Sequence, residues 1–310
     1  MGVSFNRWMC GVGKELKRNK LLYIMLLPFI IWYIVFQYKP MGGLLMAFKD
    51  YDNVWIKASE SDWVGFKNFI DFFSSPYFFR TLKNTLTISL SSIIFGFPAP
   101  IILALLLNEL RQKKIMKFVQ TVSYVPHFIS SVVVCSMITM FLSPSTGVIN
   151  IILEQFGLER QYFLINKHYF VPIFIIMGIW QSTGFDSIIY FSALTGVDTQ
   201  LYDACVVDGG GRWRQLFTVT LPGILPTIIV MLIMRVGGIL NVGYESIILL
   251  YQPATYETAD VISTYVYRSG LIDGDYGYAT AVGLLNSVVG FILVMGTNYL
   301  SQKTTEMGLW

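Results

Sequence analysis

Long apolar segments alternate with polar ones along the chain, and six of them reach the length of a membrane-spanning helix. A helix that crosses a bilayer needs about 20 mostly apolar residues. The segments lie at about 21–38, 84–107, 119–142, 169–194, 222–244 and 279–300. Pro98, Pro100, Pro126 and Pro226 fall inside them, and each removes a backbone hydrogen bond. The pattern predicts an all-α integral membrane protein with six transmembrane helices, three of them kinked.

Lysine and arginine are distributed unevenly between the polar segments, which predicts the orientation of the chain. Cytosolic loops carry an excess of these residues, most clearly when the loops are short. The short loop between spans two and three holds the basic cluster 111–117, and the N-terminal segment 1–20 is also basic. We therefore expect a multi-pass protein of the bacterial cell membrane with both termini, including the tail 301–310, in the cytosol. The segments expected outside are 39–83, 143–168 and 245–278.

Composition agrees with lipid as the main surroundings of this chain. Hydrophobic residues make up 54% and charged residues 13%, whereas a soluble protein carries roughly 25% charge. The net charge of +3 is small, and we expect no nucleic-acid partner. The spacings of Cys10, Cys135 and Cys205 match no metal or redox motif, so we expect no disulfide.

Several kinds of catalytic site are missing from the sequence. The string nearest to a P-loop, Gly11-Val-Gly-Lys14, lacks the first glycine and the Ser/Thr. The two histidines, His127 and His168, have no third ligand near them for a metal site. Asp186 is the only acid deep in a span, so an intramembrane aspartyl pair is absent. We expect a chain that is not an enzyme and binds no cofactor itself.

The inner segment 197–222, between spans four and five, predicts two short helices at a sharp angle. The first begins at Asp198, which can cap it, and ends at the glycines 209–211. Its apolar stripe consists of Leu201, Ala204 and Cys205. The second helix follows the glycines, and Pro222 starts span five. Small residues permit close approach of a partner's backbone, so the first helix suits a partner's groove. A solvated loop with a glycine turn would show the same pattern.

The same segment resembles the EAA loop of binding-protein-dependent ABC-importer permeases. The family pattern is E-A-A, three residues, G, nine residues, I-x-L-P. Here Asp203-Ala204-Cys205 stands for E-A-A, Gly209 follows after three residues, and Val219-Thr220-Leu221-Pro222 follows after nine more. The departures are Asp for Glu, Cys for Ala and Val for Ile. The resemblance implies an ATPase-docking site formed by Asp203, Ala204, Cys205, Gly209, Leu221 and Pro222.

Other strings resemble the LplB-type permeases of Gram-positive oligosaccharide importers, which carry complex-carbohydrate fragments such as aldouronates. They lie at 124–131, 178–196, 260–271, 278–289 and 308–310. The resemblance implies the ABC importer type I permease fold over 21–300, with a cytosolic coupling helix between helices 4 and 5.

The partners implied by this resemblance are a second homologous permease, two ATPase subunits shared among sugar importers, and an extracytoplasmic substrate-binding lipoprotein. That receptor delivers the oligosaccharide. ATP and Mg bind to the ATPase, and this chain performs no covalent chemistry. The tail residues 308–310 are expected either at the ATPase interface or frayed.

Polar and aromatic side chains inside the spans are candidates for the substrate pathway. They are Trp180, Gln181, Asp186, Tyr190, Arg235, Asn241 and Asn286. Sugar recognition combines aromatic faces with amide and carboxylate hydrogen bonds, which fits this set. Interhelical hydrogen bonds would explain any single member equally well.

Arg235 is the most informative member of this set. It follows Pro222 by thirteen residues, or roughly 20 Å along a helix. A lone arginine at that depth needs a water-filled cavity, an anionic ligand or a partner. Two hypotheses follow: Arg235 pairs with Asp186 in the structure, or it faces the pathway and favours acidic sugars such as uronates.

The last outer segment, 245–278, is rich in tyrosine and contains several acids. In the family that the sequence resembles, outer loops meet the receptor. Tyr256, Tyr265 and Tyr267 are therefore candidates for receptor contact.

Two other classes of function remain open at this point. An ion-coupled secondary carrier would also have six spans and buried polar groups, but it predicts inverted repeats, and none is evident. A membrane assembly subunit would explain a docking helix but not the polar residues inside the spans.

Overall fold

The structure is a computed structural model that describes residues 18–52, 60–305 and 308–309, and these ranges form helices and turns. In chain order the helices are α1 (Lys20–Phe48), α2 (Lys67–Ser74), α3 (Phe78–Asn108), α4 (Lys113–Phe128), α5 (Ser131–Phe141), α6 (Val148–Gln155), α7 (Lys167–Thr195), α8 (Thr199–Val207), α9 (Arg212–Gly237), α10 (Tyr244–Leu250), α11 (Tyr256–Ala259), α12 (Ile262–Tyr267) and α13 (Tyr276–Thr305). Most of the basic segment 1–20 with Cys10, and part of the tail, lie outside the described residues.

Within the described ranges, five helices are long and apolar enough to cross a membrane: α1, α3, α7, α9 and α13. The helices α4 and α5 reach that length only as a pair, and they meet at a bend of 98°. The all-α membrane architecture is confirmed, with the third span broken rather than kinked. Pro126 lies in the last turn before the break, and Ser130 starts the next helix by accepting a hydrogen bond from the Val133 backbone N–H. A proline followed by a new cap explains why the helix direction changes here.

Two spans differ by about ten residues at one end from the limits expected from the sequence. Helix α1 continues to Phe48 instead of ending near residue 38, and α9 begins at Arg212 and ends at Gly237. The predicted second helix of the segment 197–222 is therefore the first part of span five. Pro222 lies inside α9, directly after an irregular π-helical turn at Leu216–Thr220, which is a common setting for a tolerated proline.

The two ends of the helical bundle have separate apolar cores. At the end that carries α8, here called the coupling end, Ala104, Tyr190, Leu194 and Ile224 pack together. At the opposite, far end, a larger core joins α3, α5 and α7 to the segment that contains α10, α11 and α12. This segment supplies Ile247, Leu250, Ala259 and Val261 to that core, and all four are buried. The segment 245–278 is thus a packed part of the bundle rather than an open loop.

Helix α1 is exposed along most of its length and attaches to the bundle at its far end. None of the most apolar stretch of α1 is buried within this chain. The C-terminal end of α1 is held by the buried side chain of Asn68 on α2. Asn68 Nδ2 donates to the backbone oxygens of Ala47 and Lys49, each at 3.0 Å. Gly277 of α13 also lies close, because a Cβ there would be 2.5 Å from the Lys49 oxygen. The far end of α1 is therefore enclosed by α2 and α13.

Replacement of Asn68 by leucine is expected to loosen this attachment. The two backbone oxygens would lose their buried donor, at a cost of about 1–3 kcal/mol. Hydrogen–deuterium exchange should increase around residues 44–50, and the melting temperature of the purified protein should fall. Asn108→Leu, at an exposed position, is the control. Equal melting temperatures for both variants would contradict the role of Asn68.

Candidate functional site

A cavity of about 810 Å³ lies among α3, the α4–α5 break, α7 and the end of α9. Ligand pockets in proteins are typically about 300–1,000 Å³. Its lining residues are Ser89, Ser92, Ile93, Gly96, His127, Phe128, Ile129, Ser130, Ser131, Phe174, Ile175, Gly178, Ile179, Gln181, Ser182, Met234, Arg235, Gly238, Ile239, Asn241, Val242 and Gly243. Five serine hydroxyls, two amides, two aromatic rings, a histidine and an arginine therefore face one space. Such a lining suits a ligand rich in hydroxyl groups.

The cavity lies near the middle of the membrane-spanning helices. Ser92 is fourteen residues from the start of the 31-residue helix α3, and Gln181 is fourteen residues from the start of the 29-residue helix α7. Because helix length increases evenly with residue number, both positions are close to mid-length. A polar cavity at that depth is typical of a transport pathway.

The break between α4 and α5 forms one wall of the cavity. Gln181 Nε2 donates to the Ile129 backbone oxygen at 3.0 Å, which satisfies a carbonyl that the break leaves without a helical partner. The His127 ring stacks on Phe185, with ring centroids 4.0 Å apart. The irregular backbone is thus held against α7, and irregular backbone at membrane depth is tolerated where it lines a cavity.

Arg235 contacts α3 rather than Asp186. Its Nη2 donates to Ser92 Oγ at 3.0 Å. In the part of the chain that the structure describes, no carboxylate forms an ion pair with Arg235 within 4 Å. The predicted Asp186–Arg235 pair is therefore absent in this conformation: Arg235 lines the cavity and donates to Ser92, and Asp186 does not line the cavity.

The structure brings part of the predicted pathway set together. Gln181, Arg235 and Asn241 line the cavity. Asn286 Nδ2 donates to Asn241 Oδ1 at 2.9 Å and so lies at its edge. Asn241 is in the turn after α9 rather than on span five, because that helix ends at Gly237.

The other predicted pathway residues do not line the cavity. Tyr190 is 2% exposed and packs in the core at the coupling end, while Trp180 is exposed on the surface of α7 and Asp186 is half-buried. Successive residues of one helix face different directions, so hydropathy alone could not separate them. The serines of the lining and the contact of His127 with Phe185 were not predicted from the sequence. A cluster such as Ser91-Ser92 in an apolar span was the available signal.

A buried carboxylate holds the far end of the bundle together. The Asp260 side chain is fully buried, and its Oδ2 accepts from Arg80 at 2.9 Å and from Arg268 at 2.8 Å. Thr264 Oγ1 donates to Asp260 Oδ1 at 2.9 Å, and Asn84 Nδ2 donates to the Asp260 backbone oxygen at 2.9 Å. These contacts join α3 to the segment around α11 and α12. Nothing in the sequence pairs these residues, because Arg80 and Asp260 are 180 positions apart.

Three tyrosines were predicted to contact a receptor, and the burial of Tyr265 contradicts the prediction for that residue. It is 8% exposed, packs against Phe72, and shares a hydrogen bond with Tyr278 at 3.0 Å between the hydroxyl oxygens. Tyr256 and Tyr267 are half-buried. Tyr265 instead packs with Ile262, Phe72 and Val282 in a small apolar cluster separate from the far-end core.

Acidic side chains gather at the far end beside the start of α13. Burial raises the pKa of the Asp275 carboxyl, and the nearby charges of Asp50, Asp52 and Asp71 raise it further. The folded chain therefore holds the Asp275 proton more tightly than the unfolded chain does. Protonation of Asp275 therefore stabilises the folded chain at low pH. This contribution to the free energy of unfolding is lost as the pH rises through the raised pKa of Asp275.

The coupling end presents helix α8 with one exposed face. Gln200, Asp203, Ala204 and Val207 recur at i, i+3, i+4 and i+7, and all four are exposed. Val207 is 86% exposed, although it is apolar. A small, partly apolar helix face in the open is typical of a docking surface.

The opposite face of α8 packs on the start of α9. Tyr202 Oη lies 3.1 Å from Thr220 Oγ1, and the buried Cys205 Sγ lies 3.8 Å from Thr218 Oγ1. The EAA pattern predicted that Cys205 belongs to the docking face. Its burial shows that it is not part of the exposed face of α8. It instead connects the two helices. Of the other predicted docking positions, Leu221 and Pro222 lie within α9, and Pro222 is exposed.

Two glycines end α8 for different reasons. Gly209 has a φ of +75°, in the left-handed region that glycine adopts without strain. The Gly210 N–H donates to the Cys205 oxygen at 2.7 Å, closing the helix in the usual C-terminal manner. The spacing Cys205–Gly209 thus has a structural reason: the glycine turns the chain back so that α8 lies against α9.

Comparison with known proteins agrees with this geometry. The family model described as "Binding-protein-dependent transport system inner membrane component" matches residues 96–306. Protein LplB from Bacillus subtilis (strain 168) is 44% identical over 309 residues, covering 100% of this chain and 95% of the relative. The polygalacturonan/rhamnogalacturonan transport system permease protein YteP, from the same organism, is 44% identical over 296 residues, covering 96% of this chain and 92% of the relative.

A solved structure has the same fold. It is the crystal structure of a bacterial ABC transporter involved in the import of the acidic polysaccharide alginate. One of its chains is 50% identical, with a TM-score of 0.88, covering 95% of this chain and 99% of that one. A second structure of an alginate ABC transporter, in complex with a periplasmic protein bound to an alginate pentasaccharide, matches with 51% identity and a TM-score of 0.88, covering 96% of this chain and 99% of that chain.

Proposed function

The chain belongs to the family of binding-protein-dependent transport system inner membrane components, and we propose that it is the permease subunit of an ATP-driven oligosaccharide importer. YteP is named as a polygalacturonan/rhamnogalacturonan transport system permease protein, and the first solved structure is of an ABC transporter involved in the import of alginate. The cavity among α3, α7 and α9 is the part of the translocation pathway that this chain supplies. Because the chain belongs to this family, the two alternative functions, an ion-coupled secondary carrier and a membrane assembly subunit, are not favoured.

One observation carries the proposal: α9 extends as a single span, with its π-helical turn at Leu216–Thr220, from the docking helix to the cavity. It begins at Arg212, beside α8, and Arg235 near its other end lines the cavity. Its 26 residues span about 39 Å at 1.5 Å per residue. Because Tyr202 and Cys205 attach α8 to α9, a force on α8 moves the cavity wall. This is a direct route for coupling ATP hydrolysis to opening and closing of the pathway.

The partners that we propose are those of a complete importer. A second, homologous permease supplies the other half of the pathway, and two ATPase subunits bind ATP and Mg beneath the pair. One ATPase subunit receives α8, while a substrate-binding lipoprotein docks at the far end and delivers the sugar. The half-buried Tyr256 and Tyr267 remain candidates for that receptor contact, and this chain binds no cofactor.

The basic residues 111–117, in the short connection and first turn of α4, support an orientation with α8 and both termini in the cytosol. The far end, with α2 and the Asp260 network, then faces outside. Residues 21–300 form the transmembrane domain in this proposal, with a cytosolic N-terminus and tail, in the cell membrane of a Gram-positive bacterium.

Substitution of Val207 by aspartate is expected to release the ATPase from this permease. Val207 is 86% exposed and makes no contribution to the core, so the fold should persist. A carboxylate placed in an apolar docking groove loses its hydration without a partner, which costs several kcal/mol. Co-purification of the ATPase with the tagged permease measures the effect, and the melting temperature of the permease checks its fold.

The matched control is Val206→Asp, which makes the same change at the neighbouring exposed position, about 100° away around the helix. It should retain more ATPase than Val207→Asp. Full co-purification with both variants would contradict the assignment of α8 as the docking helix.

A further inference from the structure

Helix α2 presents a row of apolar side chains to the outside of the bundle. Phe66, directly before the first residue of α2, is 67% exposed, and Ile70 and Phe73 within it are 61% and 50% exposed. Their spacing of four and three residues places all three within an arc of about 60° around the helix. Single exposed apolar residues are normal on a protein surface, but a contiguous patch marks a contact. These three residues, here called the apolar stripe, therefore need a covering.

The other two sides of α2 differ from the apolar stripe and from each other. Lys67, Asp71 and Ser74 are exposed and polar, and they occupy a second arc of about 60° beside the stripe. Asn68 and Phe72 form the third side, and both are buried against the bundle. One side thus faces protein, one suits water and one is apolar but uncovered. A helix with this division suits the boundary between water and the lipid acyl chains.

The place of α2 in the fold favours lipid as the covering of the stripe. The helix lies between the end of α1 and the start of α3, both of which belong to helices long and apolar enough to cross a membrane. The ring centroid of Phe66 is 5.5 Å from that of Phe48, the last residue of α1. Trp63 stacks on the same Phe48 ring at 5.7 Å, and tryptophan is enriched where membrane helices meet the headgroups.

The stripe also continues an apolar surface that is itself uncovered by this chain. None of the most apolar stretch of α1 is buried, and Leu45, one turn before its end, is 56% exposed. The polar side of α2 carries one lysine and one aspartate, Lys67 and Asp71, so its charges cancel. Attraction to anionic headgroups therefore cannot account for a membrane contact here, whereas burial of the apolar stripe can.

We propose that α2 lies in the headgroup region of the bilayer at the far end, with Phe66, Ile70 and Phe73 inserted among the lipid acyl chains. The polar side with Lys67 and Asp71 faces water. Because Asn68 on the buried side holds the end of α1, the inserted helix fixes the depth of that end in the membrane. This lipid contact is additional to the spans and independent of the transported saccharide.

The test uses the full-length chain, with the partner subunits that co-purify with it, in lipid nanodiscs. Nitroxide labels are attached to Ile70→Cys and, as the matched control, to Asp71→Cys. Both positions are exposed and about 100° apart around the helix. The unsubstituted chain gives the background from its native cysteines. Oxygen, which concentrates among acyl chains, and a water-soluble nickel chelate report the depth of each label by electron paramagnetic resonance.

The label at position 70 should be accessible to oxygen and lie about 5–10 Å into the boundary between headgroups and acyl chains. The label at position 71 should be accessible to nickel. Nanodiscs of phosphatidylcholine and of phosphatidylglycerol should give the same depths. Nickel access at both positions would overturn the proposal, since α2 would then stand in water. Protection of position 70 from both reagents would overturn it too, because a protein partner would then cover the stripe. Insertion only into phosphatidylglycerol would overturn the apolar contact.

A second pair of variants tests whether the stripe is the inserted side. Phe73→Asp places a carboxylate among acyl chains, where its loss of hydration is costly, and should shift the label at position 70 from oxygen access to nickel access. Ser74→Asp makes the same change one residue later on the polar side and should leave the depth unchanged. Equal shifts in the two variants would overturn the assignment of the inserted side.

Discussion

Replacement of Gly184 by alanine is expected to separate two helices of the bundle and to lower the stability of the protein by about 3 kcal/mol. Gly184 lies on α7, where it is buried, and a Cβ there would overlap the backbone carbonyl of Ser123 on α4. A flexible side chain could move aside, but a helix backbone cannot do so without shifting the helix. Since α4 leads directly into the cavity wall at His127, the shift should also reduce transport.

The melting temperature of the purified protein and ATP-driven uptake by the complete importer measure this effect. Gly178→Ala is a matched control on the same helix, because a Cβ at Gly178 meets nothing within 4 Å. Alanine is a better helix former than glycine by about 1 kcal/mol, so Gly178→Ala should melt at the same temperature or slightly higher. Similar melting temperatures for the two variants would show that α4 and α7 are not in close contact.

Replacement of Asp260 by asparagine should be the second large effect, with a loss of about 3–5 kcal/mol. Asparagine has nearly the same shape as aspartate but removes the negative charge that Arg80 and Arg268 share. Two guanidinium groups would remain at the far end without a counter-charge. Arg80, Arg268 and Thr264 all donate to the Asp260 carboxylate in the native structure. The NH2 group of the asparagine would face at least one of these donors, and two donors cannot form a hydrogen bond with each other.

A fall in melting temperature together with faster hydrogen–deuterium exchange over residues 244–272 would support this role. Glu257→Gln is the matched control, since Glu257 lies three residues earlier and also forms an ion pair, with Lys167 at 2.8 Å. That pair is exposed to solvent, so it contributes little to the stability of the fold. The Lys167 contact lowers the pKa of Glu257, but a pair in open solvent holds little of the fold. Equal destabilisation by the two variants would contradict a special role for the buried carboxylate.

The candidate site could be predicted from the sequence only in part. The EAA spacing located helix α8, which we propose as the docking helix, and Asp203 and Ala204 on it are exposed. The same spacing placed Cys205 among the docking residues, yet its thiol is buried against α9. Spacing identifies a helix, whereas the direction of each side chain depends on what the other face packs against.

The pathway residues show the same limit. Polar residues in apolar spans are easily recognised, and Gln181, Arg235 and Asn241 do line the cavity. Tyr190 and Trp180 have equally suitable chemistry but point into a core and to the surface. Choosing among them requires knowledge of which helices are neighbours.

The sequence by itself determined the features that depend on local composition. Runs of about 20 apolar residues specify membrane helices, because each must satisfy its own backbone hydrogen bonds in lipid. The EAA spacing located helix α8 and resembled the family to which the chain belongs. Only the tertiary structure decided that Gly184 and not Gly178 lies against another backbone, and that Asp260 compensates two arginines. It also decided that Arg235 faces an open cavity instead of Asp186. These features depend on contacts between residues far apart in the chain, and local patterns carry no information about such contacts.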